Sequence, residues 1–554
     1  MIGNPTRRAF LTSVGGAALL AACGQNETTK QAQSGPAATA QPGEVVLNRG
    51  NAAEPLSIDP HHAQGNWEAS IIGDLLVGLT TEDADGNPIP GAAERWEESE
   101  DGKTWTFHLR DHQWSDGQPV TAQDFLYAWR RILDPKTAST YAYFLYLIKN
   151  AEAVNTGKMP GTELGAKSPD DKTVIVELEH PVPFLLQFMT HMTTYPVPRH
   201  VVDSKGDAWT KAGSYVGNGP YVLSEWNPND HITLVKNPKF YDAANVKIDR
   251  AIFYPTTDYE AALKRFRAGE LDVQDRLPAP QIDWLRANMP ETLHLDPILA
   301  TEYLAANQTR KPFGDVRVRE ALSLAVDRET IVNRIDKVGE PPAYAIVPPG
   351  IANYPGGVFL GFKSMPFPDR LKRAQQLMRE AGYGPDNLLR TSLMIRSAST
   401  TARRVPVAVQ QMWKQIYVDA QILQLDAAIF YNRVQTGDFD IANPGWIGDY
   451  NDASNFLDLL RTGNANNYGH YHNDDYEKLL DEASVELDLM KRGQLLAQAE
   501  GIALKDNAWI PISFSVSGGL VRPYVKAWDK NIADIHRTRW LSIDESARAA
   551  IAHA

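Results

Sequence analysis

The stretch WIGDYNDASNF, Trp446 to Phe456, sets one carboxylate, Asp449, among aromatic and small residues. A carboxylate withdrawn from water is costly unless a cation or several hydrogen-bond donors accompany it. The closest basic residue downstream is Arg461. Two readings of Asp449 follow. It meets a cation brought from elsewhere, or it caps a turn made with Asn451 and Asp452, residue types that favour turns.

The chain around this stretch is long. Its 554 residues exceed a single hydrophobic core, so two or three domains are expected. With 43% hydrophobic and 22% charged residues the composition is that of a soluble globular protein. The 13 Trp, 21 Tyr and 17 Phe suffice for a large core and for a lined cavity. A formal charge of −13 repels nucleic acid and anionic lipid, so neither is an expected partner. The acidity serves solubility first.

The N-terminus carries an export pattern. Arg7 and Arg8 precede an apolar run from Ala9 to Ala22, which is followed by Cys23. The run falls short of the roughly 20 apolar residues that span a bilayer, and it fits a secretory signal peptide. Thr6 to Leu11 resembles a twin-arginine export signal. Leu20-Ala21-Ala22-Cys23 resembles a bacterial lipobox, which implies cleavage before Cys23 and lipidation of its thiol. Cys23 is the only cysteine, so no disulfide can form within the monomer. The expected location is the periplasmic or cell-surface face of a bacterial membrane, with the lipid as the only membrane contact. Residues 24–43 are polar and low in complexity and read as a tether.

Beyond the tether, strand and helix patterns intermix without a strict βαβ rhythm. Glu44 to Gly50, Thr104 to Arg110, Lys172 to Glu179 and His231 to Lys236 read as strands. Thr121 and Asp124 start a helix in the manner of a capping box, with Phe125, Leu126, Trp129 and Ile132 on one face. Val316 to Ile335 reads as one long amphipathic helix, and Leu371 to Ala381 as another that stops at Gly382. This mixture predicts an α/β protein with mixed sheets.

Enzyme signatures are missing: no Walker-A loop, HExxH, GxSxG elbow or CxxC pair occurs. His61-His62 is adjacent rather than i, i+4, and a surface or turn role is expected for it. The segment Asn466 to Tyr476, NNYGHYHNDDY, offers two His and two Asp, but its composition is also that of a surface turn. No metal and no cofactor are expected.

Six ordered blocks then carry a resemblance. They are SIDPH (Ser57 to His61), GLTTEDADGNPIPGAAERWEES (Gly78 to Ser99), WTFHLRDHQWSDGQPVTAQDFLYAW (Trp105 to Trp129), NGPYVLSEW (Asn218 to Trp226), KPFGDVRVREALSLAVDRETIV (Lys311 to Val332) and WIGDYNDASNFLDL (Trp446 to Leu459). Together the chain resembles the oligopeptide-binding proteins, the extracytoplasmic solute-binding subunits of peptide ABC importers, from about Glu44 to about Arg539. The resemblance implies a two-lobed periplasmic-binding-protein fold of three domains with a hinge, the ligand enclosed between the lobes. The expected domains are a discontinuous one from residues 44–76, 201–302 and 517–554, a second from 77–200 and a third from 303–516. Residues 1–22 are the signal peptide and 23–43 the lipidated Cys with its tether. The expected assembly is a monomer working with permease subunits.

The same resemblance assigns the site. The Asp of a W-x-x-D-Y motif, here Asp449, binds the α-ammonium of a peptide, and an ammonium brings both charge and donors. Gly445 and Ile447, on either side of Trp446, pair with the peptide backbone. Gln64 and Asn66 form an opposing strand-like segment. Tyr141 lies near the peptide's N-terminal end, and Tyr303 is an aromatic of the cleft. Ala300 and Ile447 stand where relatives often carry a disulfide. At the far end, relatives offer basic residues to the peptide carboxylate at positions that are here Asp336, Ala402, Val434 and Asn443. None of these is basic, although Arg403, Arg404 and Arg433 are close in sequence. The ligand is thus a longer peptide with a solvated carboxylate, or a modified peptide such as a cell-wall peptide or another amine-bearing solute. A sugar, metal chelate or opine-like ligand would leave Asp449 unpaired, and a surface hydrolase would have to turn its ligand over.

Overall fold

The computed structural model describes residues 43–396 and 403–552. The expected signal peptide, Cys23 and nearly all of its tether, and Ala402, lie outside the described residues. No helix of the described residues is long and apolar enough to cross a membrane.

An 11-stranded mixed sheet forms the spine. At its centre the long strands Leu293–Ala306 and Ile510–Val521 run antiparallel. On one side follow Val273–Gln274, Val46–Gly50, Arg250–Tyr254, His231–Lys236 and Tyr221–Asn227; on the other Ile441–Ala442, Leu389–Arg396 and Val418–Leu425. Parallel pairs, such as Val46–Gly50 with Arg250–Tyr254, and antiparallel ones both occur along it. The two central strands pass through residues 302/303 and 516/517, where the sequence suggested domain boundaries. Their register shifts between Pro297 and Thr301 and again between Glu302 and Tyr303. Such irregularities bend a strand and increase its twist. A separate four-stranded antiparallel sheet holds Ala93–Glu98, Thr104–Leu109, Thr173–Glu177 and Ala166–Asp170 in that order.

Two large cores flank this frame. One draws on residues from Ile58 to Phe253 and includes Trp114, Trp129 and Trp209. The other draws on residues from Leu299 to Ile512 and includes Trp413 and Trp509. The helix Ala122–Leu133 shows how local signals feed the first core. Thr121 N–H donates to Asp124 Oδ2 at 2.8 Å and the Thr121 hydroxyl to the same oxygen at 3.0 Å. Its apolar face, Phe125, Leu126, Trp129 and Ile132, is buried, and Trp129 Nε1 donates to Thr194 O at 2.8 Å. Thr121→Ala is expected to lower stability by about 1 kcal/mol, as measured by denaturant unfolding.

Some sequence expectations change. The helix read over Val316–Ile335 is broken. It runs as Val316–Leu324, then Arg328–Thr330, then a wider π turn over Ile331–Asp336. Arg328 is fully buried and donates to the carbonyls of Ser323, Val326, Ala343 and Pro511, so it satisfies acceptors freed where the first helix ends. Asp327 caps the next turn by accepting from Thr330 N–H at 3.2 Å. The second helix begins before Leu371, as Phe367–Glu380, and stops before Gly382, whose φ of +93° suits glycine. His61 does sit in a turn, but not at the surface. It is buried, its Nδ1 lies 2.5 Å from Arg131 Nη1, and burial pushes its ring down to about 3. The Asn466 to Tyr476 segment is a hydrogen-bonded turn, in which Asn467 Nδ2 donates to the carbonyl of Tyr471 at 2.8 Å and Asn473 caps the helix Asp474–Val485.

Candidate functional site

A cavity of about 1300 Å³ is lined by residues from both core regions. Asp449 lies on its wall, and the local chain explains how. The short strand Trp446–Ile447 pairs with the central strand at Thr301 and Ala300, and Gly448 N–H donates to Leu299 O at 2.6 Å. Ala300 and Ile447 are direct register partners. Asn455, buried one turn further on, fixes the segment from below. Its Oδ1 accepts from Trp446 Nε1 at 2.8 Å and from Asp449 N–H at 3.3 Å. Gly445 has φ +64°, and a Cβ there would stand 2.9 Å from Glu302 Oε1. Glycine is needed at 445 both for conformation and for room.

The acids near Asp449 divide sharply. Asp452 receives both terminal nitrogens of Arg492 at 2.6 and 2.9 Å. Asp458 receives Arg461 at 2.8 Å, and Arg461 also reaches Asp481 at 2.7 Å. Among the described residues, no cation pairs with Asp449. Burial pushes its carboxyl up to about 6, and only the Asn455 side chain opposes that rise. The turn-capping reading assigns Asp449 no role in this geometry: the turn is capped instead by Asp452, which accepts from Ser454 N–H at 2.9 Å.

Around Asp449 the wall is aromatic. Tyr141 stacks on Tyr143 at 5.8 Å and on His191 at 5.9 Å. Burial, with the Asp449 charge behind it, raises the Tyr141 hydroxyl to about 12, so it remains a neutral donor. Burial pushes His191 down to about 4, which keeps that ring neutral as well. Tyr450 stacks face to face on Phe184 at 4.5 Å with an interplanar angle of 4°, and the Arg492 guanidinium lies 5.5 Å from the same Phe184 ring. Phe184 belongs to the first core region and Tyr450 to the chain of the second, so the stack bridges them beside the anchor.

The structure brings together Asp449, Trp446, Gly445, Ile447, Tyr141, Gln64 and Asn66 on one cavity. Two expectations need correction. Gln64 and Asn66 are not strand-like. Asn66 opens the helix Asn66–Leu75, and the N–H groups of Gln64 and Gly65 are engaged by the buried Glu68 carboxylate at 2.7 and 2.8 Å. Tyr303 is not on the cavity wall. It is buried in the second core, its ring 3.5 Å from that of Trp509. The strand alternates, so its neighbour Glu302 faces the cavity instead.

The far end also differs in detail. Val434 is fully buried in the core, and Asn443 donates to Tyr303 O at 2.8 Å. Arg433 is engaged by Asp438 at 2.9 Å and does not restore a cavity cation. Arg396, which sequence reasoning missed, is the basic residue that lines this part of the wall, 5.6 Å from the Tyr431 ring. Tyr143, Phe184, His191 and Asn455 were missed too; of these only Tyr143, two residues after Tyr141, carried a sequence signal.

A broad cavity between two core regions, with a carboxylate on its wall that lacks a cation among the described residues, suits the binding of a solute. The family model for bacterial extracellular solute-binding proteins, family 5, matches residues 87–468. The chain belongs to this family of binding proteins and is not an enzyme. It is 37% identical over 489 residues to the periplasmic oligopeptide-binding protein OppA of Salmonella typhimurium, covering 87% of this chain and 89% of that one. Among solved structures it is similar to Haemophilus influenzae OppA in complex with RPPGFSPFR, with a TM-score of 0.78, 34% identity and coverage of 90% and 99%. It is equally similar to the Escherichia coli murein tripeptide binding protein MppA, with a TM-score of 0.79, 34% identity and the same coverage. The expected mixed α/β periplasmic-binding-protein fold is the one observed.

Any cation at Asp449 must meet the ionised carboxyl. Burial pushes that group up to about 6, and pairing with an ammonium lowers it. Affinity is therefore expected to be highest at about pH 7, to fall toward tenfold per unit well below about pH 6 as the carboxyl protonates, and to fall again above about pH 8 as the peptide amine loses its proton. Calorimetric titrations across pH check this, with Asp449→Asn expected to lose the acid limb.

Proposed function

We propose that this chain is a peptide-binding receptor that encloses an extended peptide and delivers it to an ABC importer. The observation that carries the reading is Asp449: a desolvated carboxylate on a cavity wall with no cation partner among the described residues. A peptide α-ammonium supplies the missing charge. Beside it, the strand Trp446–Ile447 pairs on one side only, with the central strand. Its other edge suits an added peptide strand, which binds backbone and so tolerates varied sequences. Tyr141, Gly445 and Ile447 frame that path, and Gln64 and Asn66 face it from the helix entry. The named ligands of the relatives, an oligopeptide and a murein tripeptide, are of this class.

In this reading Cys23 carries the lipid and residues 24–43 the tether, and the arginine pair Arg7-Arg8 directs twin-arginine export. The protein works as a monomer, and closure of its domains about a hinge presents the form that permease subunits recognise. A cell-wall or otherwise modified peptide is the second reading. It is favoured by the lack of a basic group at Asp336, Val434 and Asn443.

The test is calorimetric titration with unmodified peptides of two to nine residues, alongside sugars, metal chelates and murein peptides. Binding of ordinary peptides regardless of sequence is the expected result. Binding confined to a non-peptide solute would overturn the proposal.

A further inference from the structure

The cavity wall holds a second carboxylate that the amine anchor does not use. Glu302 lies on the central strand immediately before the register shift that turns Tyr303 into the core. Its Oε1 lies 2.9 Å from where a Cβ on residue 445 would stand, so the glycine leaves that carboxylate room on the cavity side. Its one hydrogen-bond donor is Asn443 Nδ2, at 3.5 Å, the limit of a hydrogen bond. Among the described residues, no basic side chain forms an ion pair with it. Arg396 is the cation whose charge it feels, and Arg396 is set against the Tyr431 ring.

Two further acids stand near it, and one of them, Asp336, is faced by Arg404. Asp336 and Glu340 both lie close enough to interact electrostatically with one another, and each is felt together with Glu302. Burial outweighs Arg396 and raises the Glu302 carboxyl, whereas the charge of Asp336 is offset by Arg404, so Glu302 is the carboxylate on this wall with room for a further cation.

Position along the peptide follows from strand geometry. Gly445 lies four residues before Asp449. An extended chain rises about 3.3 Å per residue, and the chain turns at Gly445 and at Asp449, so the backbones at 445 and 449 are less than about 13 Å apart. That span sets Glu302 beside the third or fourth residue of a peptide whose amino group is at Asp449.

We infer that Glu302 is a specificity-determining residue of the peptide cavity, selecting a basic side chain, lysine, arginine or a comparable side-chain amine, at the third or fourth position of the ligand. The inference rests on the peptide-binding reading above and adds a substrate preference to it. A side-chain cation here supplies what the wall lacks, whereas an acidic residue meets like charge and is rejected. Peptides bound in this way carry two positive groups, one at each carboxylate.

The experiment uses the whole mature chain and tetrapeptides with a free amino terminus. Lysine, norleucine and glutamate are compared at position three and at position four. In the wild type, lysine is expected to bind at least tenfold more tightly than norleucine at one of these positions, and glutamate more weakly than both. Glu302→Gln is expected to abolish the lysine advantage while holding the norleucine affinity within about threefold. Matching melting curves would show that this variant folds. Asp336→Asn, a second variant, should reduce the advantage in part. Equal affinity for lysine and norleucine at both positions, or a preference that survives in Glu302→Gln, would overturn the inference. The norleucine peptide separates the two failures: if it binds while lysine gains nothing, Glu302 is not a selector, and if no peptide binds, peptide recognition itself fails and this inference with it.

Discussion

Asp449→Asn weakens the binding of free-amine peptides by about 2–5 kcal/mol, because a desolvated pair loses one of its charges. The size follows from the setting. Burial of the carboxyl holds its pKa up at about 6, and among the described residues Asn455 is the one side chain that opposes that shift. An incoming ammonium therefore neutralises a carboxylate that no cation among the described residues neutralises. Asparagine keeps the shape and the hydrogen bonding to Asn455 but not the charge. N-acetylation of the peptide removes the other half of the pair, and it should cost the wild type a comparable amount while costing Asp449→Asn little. The double comparison isolates the pair itself. Equal losses from acetylation in both proteins would place the peptide amine elsewhere.

Arg492→Ala is the second large effect, and it falls on stability. Arg492 and Asp452 are both buried and joined by two short hydrogen bonds. Removing the guanidinium strands a buried carboxylate, which typically costs about 3–5 kcal/mol. Asp452 still accepts from Ser454 N–H, so a value near the lower end is expected. The variant also removes the cation lying over Phe184, on whose ring Tyr450 is stacked. Peptide affinity should thus fall along with stability, since that stack bridges the two core regions one residue from Asp449. Denaturant unfolding measures the first effect and calorimetry the second. Combining Arg492→Met with Asp452→Asn, which leaves no stranded charge, should restore most of the stability. A double variant as unstable as Arg492→Ala would show that the packing of Arg492, not its charge, is what matters.

These residues also show what a sequence discloses. The helix entered through Thr121 and Asp124 was legible because a capping box is a local signal, contained within four residues. The amine anchor was legible for a different reason: Asp449 lacks a cation nearby in sequence and sits in a motif with a specific resemblance. The break at Asp327 was not legible. An amphipathic pattern runs on through it, and what stops the helix is Arg328, whose acceptors at Ala343 and Pro511 are remote in sequence. Tyr303 and Glu302 illustrate the same limit. Strand alternation says that they face opposite sides but not which side is the cavity. The register shift between them is set by pairing with Ile510–Val521, far along the chain. Arg396 was missed because its place on the wall depends on the tertiary approach of a separate strand.

The central claim is that the cavity holds a peptide by its free amino terminus at Asp449. Native mass spectrometry of the protein purified without denaturation, with sequencing of what it releases, tests this most directly. The account predicts a ladder of peptides of similar length and varied sequence, all with unblocked amino termini, and their loss from Asp449→Asn. Release of a non-peptide solute, or of peptides with blocked amino termini, would contradict it.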